Sequence, residues 1–348
     1  MKIDLLCNDG SPLGVSVASI FGNDGRMGVG GAELALLTLC ESFHRRGDEI
    51  VLYNNPKIPN GSPFEQRRIE EFDPNADRDA LIIFRSPNPL SYDAKGLKVW
   101  LSCDQMTVGD FRDFSTHVDK IVTISKFHTD YFKSTYEISN SIHIDLPIRT
   151  WEYRKPNLYE NKVPYRCIFT SIPDRGLIPL NAAWPLIARE IPEASLAITS
   201  DWRLWDDWAT DELIHHYKHI FQRQPNVIYL GAVNRARLLE IQLTAQVHLY
   251  PCIYDELFCL SVAESQVAAA YPITSTKGAV SSTNMGMTIS GSPENPKWIE
   301  TFVGRVVEIL KDQEKLLEKQ EHVRQMAMKR FSPENILQQW DEKIFGVK

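Results

Sequence analysis

Val247-His248-Leu249-Tyr250-Pro251 is followed by Tyr254-Asp255-Glu256-Leu257-Phe258-Cys259-Leu260-Ser261-Val262-Ala263-Glu264, and an apolar run then continues to about Ala270. The first segment has the pattern of a buried β-strand and the last that of a helix, with a short loop between them. Strand, loop and helix N-terminus in that order make a place for a phosphate, because free backbone N–H groups and the helix dipole point at the anion. Glu256 falls in the loop beside that end. Glu264 falls about two turns along the helix, on roughly the side of Leu257 and Leu260. Two carboxylates flanking an anion cradle suit a ligand with both phosphate and vicinal hydroxyls, since one carboxylate can accept two hydrogen bonds from a cis-diol. Taken alone, such a glutamate pair is more often a solvated surface.

The same alternation of β-rich and helical runs extends in both directions, the signature of α/β domains with parallel sheets. Strands are expected at Ile3–Leu6, Glu49–Tyr53, Leu81–Phe84, Val99–Leu101, Ile121–Ile124 and Ile142–Ile144. A helix is expected from about Ala32 to Arg46, with Leu36, Leu39, Cys40 and Phe43 on one face and Gly47 as its C-cap. The stretch Asp145–Arg166, with Pro147, Pro156 and Pro164, breaks this rhythm and reads as an interdomain connection. A second series follows, with strands expected at Cys167–Thr170, Ser195–Ile198, Val227–Leu230, Val247–Tyr250 and Ile273–Ser275. Near the end, Ser332-Pro333-Glu334 supplies a cap, a first-turn proline and an early acid, ahead of an Ile336, Leu337, Trp340 and Ile344 stripe.

A length of 348 residues fits two domains, and 43% hydrophobic with 24% charged residues is ordinary for a globular protein with a core. The net charge of -7 argues against a general nucleic-acid partner, which would need excess basic charge to neutralise phosphates. The six cysteines form no C-x-x-C pair, so they suggest neither a zinc site nor a disulfide framework, and the chain is expected in a reducing cytoplasm. Neither a signal-peptide pattern nor a membrane-spanning run is seen, which leaves room for peripheral contact at the inner membrane face.

The Glu-x7-Glu spacing of Glu256 and Glu264, with Phe258 two places after the first glutamate, resembles the donor motif of the family-4 retaining glycosyltransferases. That resemblance implies α/β GT-B architecture: two Rossmann-like parallel-sheet domains facing a central cleft, with a C-terminal helix crossing back to the first domain. The domains would be residues 1–148, joined by the helix of 332–348, on the acceptor side, and residues 149–331 on the nucleotide-sugar side. By the same resemblance Glu256 contacts the donor sugar, Glu264 holds the nucleotide ribose, and amides around Phe258, Cys259, Leu260 and Ser261 meet the diphosphate. Cys259 stands where a glycine usually follows the phenylalanine, and Ser265 where an alanine follows the second glutamate.

Other segments are similar in the same order. Gly28-Val29-Gly30-Gly31-Ala32-Glu33 resembles the family's Gly-Gly-x-Glu loop, where Gly30 and Gly31 let the backbone approach a ligand. Ile121–Phe127 resembles a strand-then-serine segment of structural role. Phe169–Leu177 resembles the loop that opens the second domain, which makes Arg175 the cation for the donor phosphates; Thr170 or Ser171 stands where a second basic residue is common. Val99–Gln105 resembles a strand ending in His-Asp, with Cys103 in the histidine position and Asp104 retained.

The resemblance therefore implies a retaining, metal-independent glycosyltransferase with Glu256, Asp104 and Arg175 in the catalytic set. It would move a sugar from a nucleotide-diphosphate donor to a hydroxyl acceptor, such as a glycan or glycolipid, with no cofactor. The alternative is a catalytically degenerate nucleotide-sugar-binding partner subunit, favoured by Cys103. A dinucleotide oxidoreductase is disfavoured because Glu33 occupies the third glycine position of the G-x-G-x-x-G fingerprint. Trp202, Trp205 and Trp208 are taken as a packing face, His215, His216 and His219 as an incomplete metal set, and Asp77-Arg78-Asp79 as a loop. The Lys311–Lys329 run is taken as a solvated helix.

Overall fold

The computed structural model describes residues 1–348 apart from 11, 26, 59, 106–108, 206–210 and 348; Trp208 lies outside the described residues. Two compact units divide the chain, Met1–Ile148 with Phe331–Lys348 and Arg149–Arg330.

The first unit is built on β1 (Lys2–Leu6), β2 (Glu49–Tyr53), β3 (Glu65–Arg67), β4 (Ala80–Phe84), β5 (Leu97–Leu101), β6 (Lys120–Thr123) and β7 (Ser141–His143). They form one parallel sheet in the order β3-β2-β1-β4-β5-β6-β7. Central strands such as β4 are buried along their whole length, which is why they read as unbroken apolar runs rather than alternating ones. The short edge strand β3 is polar (Glu-Gln-Arg) and pairs only with β2, so it carries no apolar signal. The helix Gly31–Arg46 starts at Gly30 and stops at Gly47, whose N–H meets the His44 and Phe43 carbonyls.

Ser332 Oγ accepts the Asn335 N–H at 3.1 Å and opens the helix Pro333–Trp340, which runs into a π-helical turn, Asp341–Phe345. Trp340 is fully buried, edge-on to Phe43 of the helix Gly31–Arg46 at 5.7 Å between ring centroids. The Asp77-Arg78-Asp79 loop is structural. Arg78 is buried on Asp4 at 2.6 Å, and Asp79 accepts the Lys2 N–H, so both serve the N-terminal end of the sheet.

The second unit carries β8 (Arg166–Thr170), β9 (Ser195–Thr199), β10 (Val227–Tyr229), β11 (Val247–Tyr250), β12 (Tyr271–Ser275) and β13 (Met287–Ile289). Its sheet is also parallel, in the order β10-β9-β8-β11-β12-β13. The helices Leu177–Glu190 and Pro296–Lys311 pack on this sheet through Trp184, Ile187, Phe302 and Val306.

Two expectations change here. The stretch read as a connection contributes to the core of the second unit, because Tyr153 and Lys162 are buried. The charged run near Lys311 is divided between two helices, Pro296–Lys311 and Gln313–Arg330. The second buries Leu316, Gln320, Val323 and Ala327 on one side and exposes its lysines and glutamates on the other. Trp202–Trp205 forms a 3-10 helix, with Trp202 buried.

Candidate functional site

Both sheets reverse their strand order at one point, between β1 and β4 in the first unit and between β8 and β11 in the second. At such a switch point the loops leaving the carboxyl ends of adjacent strands diverge and leave room for a ligand.

In the second unit those loops are residues 171–176, after β8, and residues 251–259, after β11. Gly176 lets them approach: a Cβ there would lie 2.8 Å from the Pro251 carbonyl oxygen. The Ile253 N–H donates to the Arg175 carbonyl at 3.1 Å, fixing one loop on the other. Arg175 is buried, its guanidinium 3.4 Å from the centroid of the Tyr254 ring. Its Nη1 donates to Asp174 Oδ2 at 3.1 Å, and its Nε lies 3.4 Å from Glu256 Oε1. The same Glu256 oxygen accepts the Tyr250 hydroxyl at 2.8 Å.

Burial raises the Glu256 carboxyl above its ordinary range, against the pull of Arg175 and the Tyr250 hydroxyl. Asp174 is likewise raised by burial, with Arg175 opposing. From below, Gly278 supports the Glu256 backbone at φ +54, where a Cβ would meet the Glu256 nitrogen at 2.6 Å, and Ala279 N–H donates to the Glu256 carbonyl at 2.7 Å. Thr170 Oγ1, at the end of β8, and Asp174 Oδ1, in the loop, are buried and meet no hydrogen-bond partner among the described residues, so they are polar groups that a ligand could satisfy.

Cys259 is the N-cap of the helix Leu260–Val267 and adopts φ 71°, ψ 75°, the left-handed conformation that glycine favours. That gives a physical reason for a glycine at this place in the resembling motif. Cys259 and Phe258 are buried and Leu260 and Ser261 half-buried, so the phenylalanine anchors the turn while the first-turn amides lack helical partners. Glu264, one turn further, is buried. Its Oε1 sits 2.7 Å from Arg235 Nη1, and its Oε2 accepts Gln242 Nε2 at 3.4 Å. Arg235 also binds Glu152 at 2.7 Å. Burial works against the Arg235 cation, but Glu264, Tyr153 and Glu152 outweigh it and hold its pKa above the ordinary value. Glu256 and Glu264 thus belong to two separate clusters, one around Arg175 and one around Arg235.

In the first unit, Asp104 follows β5 and meets Arg85 at 2.9 Å. Arg85 follows β4 at φ 71° and also lies 3.9 Å from Asp9, which follows β1. Burial raises the Asp104 carboxyl despite this arginine. It also pushes the Cys103 thiol well above its usual value, with the Asp104 charge adding to the effect. Gly30 is buried and Gly31 exposed at the start of their helix.

The sequence singled out Arg175, Glu256, Glu264 and Asp104 but gave no sign of Arg235, Gln242, Tyr153, Arg85 or Asp9. The first three lie in ordinary helical or connecting sequence, and the last two at strand ends without a motif. Among the described residues no group of three or more His, Cys, Asp or Glu side chains is placed to hold a metal ion, and no helix is long and apolar enough to cross a membrane.

No family model and no curated protein sequence matches the chain. Solved structures do. Sucrose-phosphate synthase from Thermosynechococcus elongatus superposes with a TM-score of 0.72 at 14% identity, covering 99% of both chains. Anabaena HepE in complex with UDP and glucose gives 0.72 at 13% identity over 100% of both chains. The catalytic domain of Arabidopsis thaliana starch synthase IV bound to ADP and acarbose gives 0.71 at 13% identity over 98% of both chains. What this chain shares with them is the glycosyltransferase GT-B fold, built from two Rossmann-like parallel-sheet units.

Proposed function

We propose that the protein is a retaining glycosyltransferase that moves a sugar from a nucleotide-diphosphate donor to a hydroxyl acceptor on a glycan or glycolipid. The observation that carries this reading is the meeting of Arg175 and Glu256 at the switch point of the second sheet, beside the helix N-terminus at Cys259. A diphosphate leaving group gains negative charge as the sugar departs. A guanidinium and first-turn amides at a helix N-terminus stabilise that charge without reorganising. Arg175 is held between Asp174, Glu256 and the Tyr254 ring, so its fork is oriented before the donor arrives. Glu256, steadied by Tyr250, accepts hydrogen bonds from sugar hydroxyls, and Glu264 accepts them from the ribose. Positioning of this kind lowers the barrier by removing orientational freedom. The complexes of HepE with UDP-glucose and of starch synthase IV with ADP support a nucleotide-diphosphate sugar as donor.

One observation favours a second reading, a non-catalytic nucleotide-sugar binder. Cys103, a protonated thiol, offers a weaker donor than the imidazole common at its place. Turnover of a bound donor separates the two.

The test is the melting temperature against UDP-, GDP-, ADP- and dTDP-sugars, followed by donor consumption with the responding sugar. A ligand at one hundred times its dissociation constant adds about 2.7 kcal/mol, a rise of roughly 5–11 °C for units of this size. No shift with any of these donors would sink the assignment.

A further inference from the structure

Glu264 closes a ring of side chains, with Oε1 in an ion pair that lacks hydrogen-bond alignment and Oε2 in a hydrogen bond. Oε1 lies 2.7 Å from Arg235 Nη1, and Arg235 Nη2 donates to the Tyr153 hydroxyl at 3.2 Å. That hydroxyl donates to Gln242 Oε1 at 2.7 Å, and Gln242 Nε2 returns to Glu264 Oε2 at 3.4 Å. Glu152 anchors Arg235 from outside the ring and is itself gripped by Arg149 at 2.6 Å. Three elements contribute: the 3-10 turn Thr150–Tyr153, the helix Arg235–Thr244 and the helix Leu260–Val267. Tyr153, Arg235, Gln242 and Glu264 are all buried.

A carboxylate has about four lone-pair sites; the ring fills one on Oε2 with a hydrogen bond, while Oε1 is held by the Arg235 charge alone and keeps both of its sites for a ligand. The remaining capacity can accept two hydroxyls, while the carboxylate cannot turn without breaking both supports. Fixed geometry matters for selectivity. A rigid buried acceptor loses a partner when the ligand lacks a hydroxyl, whereas a mobile one turns elsewhere and discriminates poorly.

We propose that Arg235, Tyr153 and Gln242 are positioning residues that lock Glu264, so that the site selects a ribonucleotide over its 2′-deoxy counterpart. This rests on the donor-site reading above, with Glu264 as the ribose ligand. Gln242→Leu removes one support at similar volume and leaves the Arg235–Glu264 and Arg235–Glu152 pairs. Tyr153→Phe removes a single hydroxyl, a second and milder change.

The experiment measures dissociation constants by calorimetry for UDP, GDP and ADP and for their 2′-deoxy forms. Wild type should prefer the ribose form of the nucleotide it binds by about tenfold or more, the scale of one hydrogen bond to a charged group. In both variants that ratio should shrink by at least about threefold while the deoxy constant holds within about twofold, because only the hydroxyl contact is lost. A merely structural role would move both constants together, and an unchanged ratio in the folded variants overturns the proposal. Equal binding of both sugars by wild type also overturns it and leaves the phosphate site standing. Wild type that binds none of the nucleotides overturns the donor-site reading itself.

Discussion

Lys162 ties together the two helices that carry the Glu264 ring, and its replacement by methionine should be costly. Its buried Nζ donates to the carbonyls of Ala245 at 2.7 Å and Ala268 at 2.6 Å. These residues are the C-caps of the helices Arg235–Thr244 and Leu260–Val267, so one amine serves two helix ends whose carbonyls lack helical partners. Lys162→Met leaves two buried acceptors unpaired at about 1–3 kcal/mol each, partly offset by an apolar side chain that needs no desolvation, for a net loss of roughly 2–4 kcal/mol. For a unit of this size that is a fall of roughly 4–16 °C in Tm.

The loss should also depend on pH. Burial, and then the nearby Arg324 charge, lower the Lys162 pKa well below 10.5 in the folded chain. Below that value the unfolded chain binds more protons, so this group's contribution to stability rises as pH climbs toward 10.5. The neutral amine still has two N–H donors, one for each carbonyl. Denaturant melts of both proteins from about pH 7 to about pH 10 should therefore show the wild-type advantage widening. A variant as stable as wild type at neutral pH, or a gap that stays flat or narrows, would refute this account.

Trp340→Ala should destabilise the first unit by about 3–5 kcal/mol, since it empties a fully buried site against Phe43; a melt shifted by less than about 1 kcal/mol would mean the helix contributes little. Glu256→Gln should abolish most donor turnover and remove a pH trend. The raised carboxyl makes ionisation of Glu256 cost stability as pH climbs above 4.5, so the variant should gain on wild type between about pH 4 and about pH 7 in thermal melts. At Cys259, valine should cost about 2 kcal/mol or more because a β-branched side chain resists φ 71°. Glycine should be near neutral, relief of strain balancing lost burial, and equal melts for the two variants would contradict the left-handed turn.

The parallel sheets were legible because strands such as Ala80–Phe84 and Val247–Tyr250 are buried on both faces and read as apolar runs. Polarity hid Glu65–Arg67, an edge strand that needs no apolar face, and brevity hid Met287–Ile289. The last strand of the first sheet lies at Ser141–His143, one residue earlier than its apolar centre suggested. Glu256 could be singled out because it follows a strand and precedes a helix, and Arg175 because Phe169–Leu177 resembles a family loop; their side chains meet. Arg235, Gln242 and Tyr153 gave no signal, since a buried ion network joins residues far apart in sequence whose local patterns are unremarkable. Cys259 looked like a departure from a glycine motif, and only the backbone angle shows which conformation that position requires.

The helix Pro333–Trp340 has a consequence for how the protein is made. Residues 331–348 belong with 1–148, yet the ribosome releases them only after the whole of 149–330. The first unit therefore waits, with Phe43 lacking its Trp340 cover, while the second unit is synthesised and can fold. At about 5–20 residues per second that delay lasts roughly ten to forty seconds. During it, an apolar face on the first unit is open to chaperones or to wrong partners.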